Sequence, residues 1–123
     1  MTVRALVYGS RTWTDRTVIR EFIASLPSDA VVIHGGADGA DSIAGQAAEM
    51  RGLQVVVYRA LWFAHGRAAG PIRNQRMVEA NPTIARGYRR GFRSPGTDDI
   101  TRRLLKAGIP VKVFNEDGTE WTE

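Results

Sequence analysis

The chain predicts an α/β fold: a parallel sheet of about five strands, order 3-2-1-4-5, between two layers of helices, with a short C-terminal edge strand. Three observations support this. Short apolar runs alternate with longer stretches of helical period, the pattern of βαβ units. The runs are apolar on both faces, which suits strands covered from both sides. The second run leads through His34-Gly35-Gly36-Ala37-Asp38-Gly39-Ala40-Asp41-Ser42 into an alanine-rich helical stretch, so strand, glycine turn and helix follow directly.

Val3 to Tyr8 is the first expected strand, and Gly9-Ser10-Arg11-Thr12-Trp13-Thr14-Asp15 the loop after it. Thr14 or Asp15 caps a helix whose stripe is Val18, Ile19, Phe22, Ile23 and Leu26. Pro27-Ser28-Asp29 ends it. Ala30 to Ile33 is the second strand, and its helix runs from about Asp41 to Arg51. Gly52 is the stop. The small face Ile43, Ala44, Ala47 and Ala48 lets that helix sit close to a sheet. Leu53 to Tyr58 is the third strand. The connection Arg59 to Ala69 is long enough to suggest a functional loop. Gly70-Pro71 opens a helix with proline at its first position, and Asn81-Pro82 stops it. Thr83 to Tyr88 is the fourth strand, interrupted by Arg86. Thr97 or Asp98 caps a helix through Lys106, with Ile100, Leu104 and Ala107 inward. Pro110 to Phe114 is the fifth strand, and Asn115 to Glu123 holds a turn at Asp117-Gly118 with the edge strand.

At 123 residues one domain, 1–123, is expected. With 43% hydrophobic and 24% charged residues the chain is ordinary globular material, not a disordered one. No apolar run approaches the roughly 20 residues of a membrane span. The start, Met1-Thr2-Val3-Arg4, lacks a signal-peptide pattern, and there is no cysteine, so disulfides, thiolate metal sites and a cysteine nucleophile are excluded. A cytoplasmic protein is expected. Net charge is +4, almost all of it from arginine, since Lys106 and Lys112 are the only lysines. Arginine suits bidentate phosphate contacts, so the basic balance points to a small anionic ligand or a nucleic acid, and a general codon bias toward arginine would give the same count.

Ligands on such sheets bind beyond the carboxyl ends of the strands, where the strand order reverses. Gly35, Gly36 and Gly39, with Ser10 and Thr97, would offer backbone and hydroxyl donors to a phosphate; plain turn geometry and capping would need the same residues. Arg73, in the first turn of its helix, opposes the macrodipole unless an anion or Asp41 or Asp99 is near. Arg11 has the same two readings. Asp99 and Asp41 are the acid/base candidates. Trp62 and Trp13 could stack on a base, and Trp62 could equally anchor its loop on the core. His65 could touch phosphate or order its loop, and His34 could hydrogen-bond backbone. Neither histidine has a second ligand at metal spacing, so no metal is expected, nor is a cofactor. Arg86, Arg89, Arg90, Arg93, Arg102 and Arg103 make the fourth strand and its neighbours the most basic region, a nucleic-acid surface, a solvated face or an oligomer contact.

Taken together, Gly9-Ser10-Arg11 with Trp13 and Asp15, the segment His34 to Asp41, Trp62, His65-Gly66-Arg67-Ala68-Ala69-Gly70-Pro71-Ile72-Arg73-Asn74, Gly96-Thr97 with Asp99, and Gly108-Ile109-Pro110-Val111 resemble the SLOG superfamily, and more closely its YspA-like branch. The resemblance covers nearly the whole chain. It implies a Rossmann-like domain that binds nucleotides or their derivatives at Gly9, Ser10, Arg11, His34, Gly35, Gly36, Ala37, Gly39, Asp41, Trp62, His65, Arg73, Asn74, Gly96 and Thr97. The superfamily includes the "Lonely guy" phosphoribohydrolases, sensors of NAD-derived signals and the DNA-processing protein A. In the hydrolases a Pro-Gly-Gly-x-Gly-Thr-x-x-Glu loop works with an arginine; the counterpart here is Ser94-Pro95-Gly96-Thr97-Asp98-Asp99 with Arg73, shorter by glycines and ending in aspartate. Three readings follow: a nucleotide or NAD-related sensor or scavenger, a hydrolase of nucleoside monophosphates using Asp99 and Arg73, and a nucleic-acid binder. The resemblance also implies a homodimer.

Overall fold

The computed structural model describes residues 2–122. Met1, and Glu123 at the end of the last expected segment, lie outside them. The elements are β1 (Arg4–Gly9), α1 (Arg16–Ser25), β2 (Val31–His34), α2 (Ala40–Met50), β3 (Gln54–Val57), α3 (Trp62–His65), a 3₁₀ turn (Gly66–Ala68), α4 (Ala69–Glu79), β4 (Ile84–Arg89), α5 (Pro95–Lys106), β5 (Val111–Asn115) and β6 (Glu120–Trp121). The sheet order is β3-β2-β1-β4-β5-β6, parallel up to β5, with β6 antiparallel. Among the described residues no helix is long and apolar enough to cross a membrane.

The two-sided apolar pattern of β1 has the expected consequence. Ala5 and Val7 enter the core beneath α1 and α2; Leu6 and Tyr8 enter the core beneath α4 and α5. Ala40, Ala44 and Ala48 are fully buried, so the small-residue face of α2 does bring it close to the sheet. Asp15 caps α1 by accepting from the Thr17 N–H at 3.0 Å.

Three local expectations shift. The connection Arg59 to Ala69 is not an open loop but contains α3 and the 3₁₀ turn. Consequently α4 begins at Ala69, and Pro71 is its third residue, where its missing N–H is still one of the orphans of a helix start. Helix α5 begins at Pro95 with Ser94 as N-cap; Thr97 and Asp98 fall in its first turn.

The order reverses at β1, between β2 and β4. The carboxyl ends of β1, β2 and β4 therefore deliver their loops to one edge, together with the starts of α2, α4 and α5.

Candidate functional site

The first loop is fixed by close backbone approach. The Ser10 N–H donates to the Tyr88 carbonyl at 2.9 Å, and the Ser10 carbonyl accepts from Trp13 and from Ala40 at the start of α2. Gly39, which precedes α2, has φ +73°, and a Cβ there would run into the Ser10 carbonyl. Only glycine fits both the dihedral and the gap.

The glycine turn after β2 is closed on itself. The Gly35 N–H donates to Asp41 Oδ2 at 2.7 Å, and the Gly36 N–H to His34 Nδ1 at 2.9 Å. Burial raises the Asp41 carboxyl to about 6, against the hydrogen bonds from Gly35, Ala37 and its own N–H and the charge of Arg73. Burial, with help from the Arg59 charge, lowers His34 to about 4. The His34 ring lies against Gly45 of α2, where a Cβ would stand 2.6 Å from Nε2.

From this turn a polar chain crosses to α5. Arg73 donates from Nη1 to the Gly35 carbonyl at 2.6 Å and from Nε to Asn74 Oδ1 at 3.1 Å. Asn74 Nδ2 donates to Asp99 Oδ2 at 3.0 Å, which also accepts from Arg103 Nε at 2.9 Å. Burial works against the Asp99 charge, but the bonds from Arg103 and Asn74 and the charges of Arg103 and Arg102 outweigh it and hold the carboxyl below its usual range. Burial lowers the Arg73 guanidinium, with Asp41 opposing and Arg11 assisting.

Above this chain lies a crevice of about 640 Å³. It brings together Gly9, Ser10, Arg11, Ala37, Asp41, Trp62, Arg73, Asn74, Gly96, Thr97 and Asp99, all expected from the sequence. Arg11 lies 5.8 Å from the centre of the half-exposed Trp62 ring, so these two form one wall. Four arginines, Arg11, Arg73, Arg93 and Arg102, face two aspartates, leaving the site net positive.

His34, Gly35, Gly36, Gly39 and His65 do not line the crevice. The first four hold the turn behind it, and His65 is exposed at the end of α3. Trp13 is no stacking platform: it is buried in the core, tilted against Tyr88 at 5.4 Å, with its indole N–H on the Asp15 carbonyl. Sequence reasoning missed Tyr8, Met77 and Ile100 as lining residues. Tyr8 was within reach, since it stands near the end of β1 on the same face as Leu6. Its hydroxyl shares a 2.8 Å bond with Thr101, and burial raises its pKa.

Helices α2, α4 and α5 start at this crevice, and none has a side-chain cap hydrogen bond. Among the described residues no group of three acidic or histidine side chains could hold a metal ion.

The model of the YspA, cpYpsA-related SLOG family matches residues 3–65. The Gene 61 protein of Mycobacterium phage D29 is 41% identical over 122 residues, covering 92% of this chain and 97% of that protein. The X-ray structure of DNA processing protein A from Streptococcus pneumoniae superposes with a TM-score of 0.61 over 89% of this chain, at 14% identity. The chain spans 58% of that structure's length, and the likeness is one of Rossmann-like fold. On the family match and the phage relative together, the chain belongs to the YspA, cpYpsA-related SLOG family.

Proposed function

We propose that the crevice binds a nucleotide or nucleotide-derived ligand, a nucleoside phosphate or an NAD-related molecule, and that the protein acts in the cytoplasm as its sensor or scavenger. One observation carries the reading: the start of α5, without a side-chain cap, meets Arg11 and Arg73 at one crevice. Helix starts offer orphan N–H groups and positive potential, the complement of a phosphate. The volume suits a nucleotide-sized molecule. Trp62 is the base-stacking candidate.

Hydrolysis of a nucleoside monophosphate is the second reading. Asp99 favours it, because it stands in the crevice with its carboxyl held ionised, ready to bind ribose hydroxyls or an oxocarbenium-like centre. Nucleic-acid binding has less support than the sequence suggests. Arg89, Arg90 and Arg103 are each held at 2.9 Å by Asp98, Glu116 and Asp99. The homodimer expected from the resemblance belongs to this reading; Leu61, Phe63 and Ile72, exposed near the crevice, are the apolar surface available to it.

The test is a thermal-shift panel of nucleoside monophosphates, ADP-ribose and NAD, with chromatography of the same samples and light scattering for the oligomer. A ligand at a hundred times its Kd adds about 2.7 kcal/mol, roughly ten degrees in Tm for a chain of this size. Arg73→Met, checked for native circular dichroism, should weaken that ligand by roughly 10- to 100-fold, the loss of a charged hydrogen-bond donor. Free base in the chromatogram, absent with Asp99→Asn, selects hydrolysis. No shift from any member of the panel overturns both readings.

A further inference from the structure

Arg86 interrupts an otherwise apolar strand, and nothing in the crevice uses it. It stands on β4, an interior strand, paired in register with Val7 on β1 and Lys112 on β5. Its guanidinium carbon lies 4.9 Å from the centre of the Phe22 ring and 5.6 Å from that of Phe114. Nε is buried and has no hydrogen-bond partner among the described residues. The neighbouring arginines on the chain, Arg89 and Arg90, each have a carboxylate; Arg86 has none among the described residues. A buried guanidinium N–H without an acceptor is costly, and an acceptor from outside the chain would relieve that cost.

Beside Arg86 is a second cavity of about 390 Å³, on the opposite face of the sheet from α4 and α5. Its walls are Val18 and Phe22 of α1, Tyr88 of β4 and Phe114 of β5. The rim carboxylates do not serve Arg86. Asp15 is occupied by the α1 start, and both oxygens of Glu116 are taken by Arg90 and the Gly91 N–H. With Glu21 also on the rim, the entrance disfavours a phosphoryl dianion, and the one helix start nearby is already capped.

We propose that this cavity is a second binding site, for a small aromatic monocarboxylate. The carboxylate takes the open edge of the Arg86 guanidinium, whose fork matches it, and the flat apolar body packs among Phe22, Tyr88 and Phe114. A single charge passes the acidic rim where a phosphate would not.

Benzoate and indole-3-acetate are the probes, titrated into ¹⁵N-labelled protein while the Arg86 Nε–Hε and Trp13 indole resonances are followed. Both should move saturably, with a millimolar or tighter Kd. Inorganic phosphate and AMP should leave them in place. Arg86→Met keeps the stem and removes the fork, and should weaken binding at least roughly tenfold, read at Trp13. If that variant does not fold, Phe22→Leu, which keeps the arginine, should weaken binding several-fold. No saturable shift, an equal response to phosphate, or undiminished binding in the folded Arg86→Met protein each overturns the site. So does a shift produced by raising the protein concentration alone, which would mean that a second copy fills the cavity.

Discussion

Two glycine-bearing turns face the same sheet edge, and they do opposite things. The turn from His34 to Gly39 has three glycines, yet its Gly35 and Gly36 amides are occupied by Asp41 and His34 of the same chain. The turn from Ser94 to Thr97 has one glycine and lines the crevice along its whole length; its helix start has no side-chain cap. Glycine count therefore does not identify an anion cradle. What decides is whether a side-chain acceptor folds back onto the amides. In the first turn Asp41 sits where an external anion would otherwise sit, and Arg73 is tied to that turn through the Gly35 carbonyl.

The largest effect that separates the turns is steric. Gly39→Ala must place a Cβ into the Ser10 carbonyl at a φ of +73°, and should cost about 3 kcal/mol in urea denaturation. Gly96→Ala meets nothing within 4 Å and lies in the first turn of a helix, so it should be neutral or stabilising by up to about 1 kcal/mol. Comparable losses from both would mean that both turns are rigid structural joints.

The next effect is electrostatic and belongs to the first turn alone. The Asp41 carboxyl, at about 6 in the fold against 3.8 ordinarily, binds its proton more tightly folded than unfolded. It adds stability, up to about 3 kcal/mol, as pH falls from 6 toward 3.8, and that gain is lost as pH rises through 6. His34 does the reverse. Held at about 4 against 6.5, it contributes stability above 6.5 that is lost as pH falls toward 4. The two slopes oppose each other in one window, and Asp99, held below 3.8, stays out of it. Denaturation midpoints of the wild type should therefore be nearly flat between pH 6.5 and 4. Asp41→Asn should lose stability steeply on acidification there, and His34→Gln should gain it. Parallel slopes in both variants would show that the pair does not govern this turn.

The sheet order, the strands and the small face of α2 were legible because period and apolarity are local properties that survive in the fold. So was the convergence of Ser10, Arg73, Asn74, Thr97 and Asp99, since topology alone sends those loops to one edge. The closure of the glycine turn was not legible. It depends on Asp41 turning back six residues to Gly35, and on the burial of that carboxyl in the fold. Trp13 was misread for a similar reason: an aromatic in a polar loop looks available until Tyr88, from a strand far along the chain, covers it. Arg86 was seen as an interruption, but its position against Phe22 and Phe114 needed the pairing of β4 with β5.

The smallest effect tests whether a cap of the chain's own is what separates a structural helix start from a binding one. Asp15→Ala removes the cap of α1 and should cost about 1 kcal/mol, a few degrees in Tm. Because Asp15 does not line the crevice, the further rise in Tm produced by a bound nucleotide should stay the same size. An unchanged Tm would mean that solvent satisfies the Thr17 N–H as well as Asp15 does, and that the missing cap at α5 says nothing about ligands. A reduced nucleotide response would mean instead that the α1 start, through the Ser10 to Asp15 loop, helps shape the crevice wall, and the contrast between capped and uncapped starts would have to be redrawn around that loop.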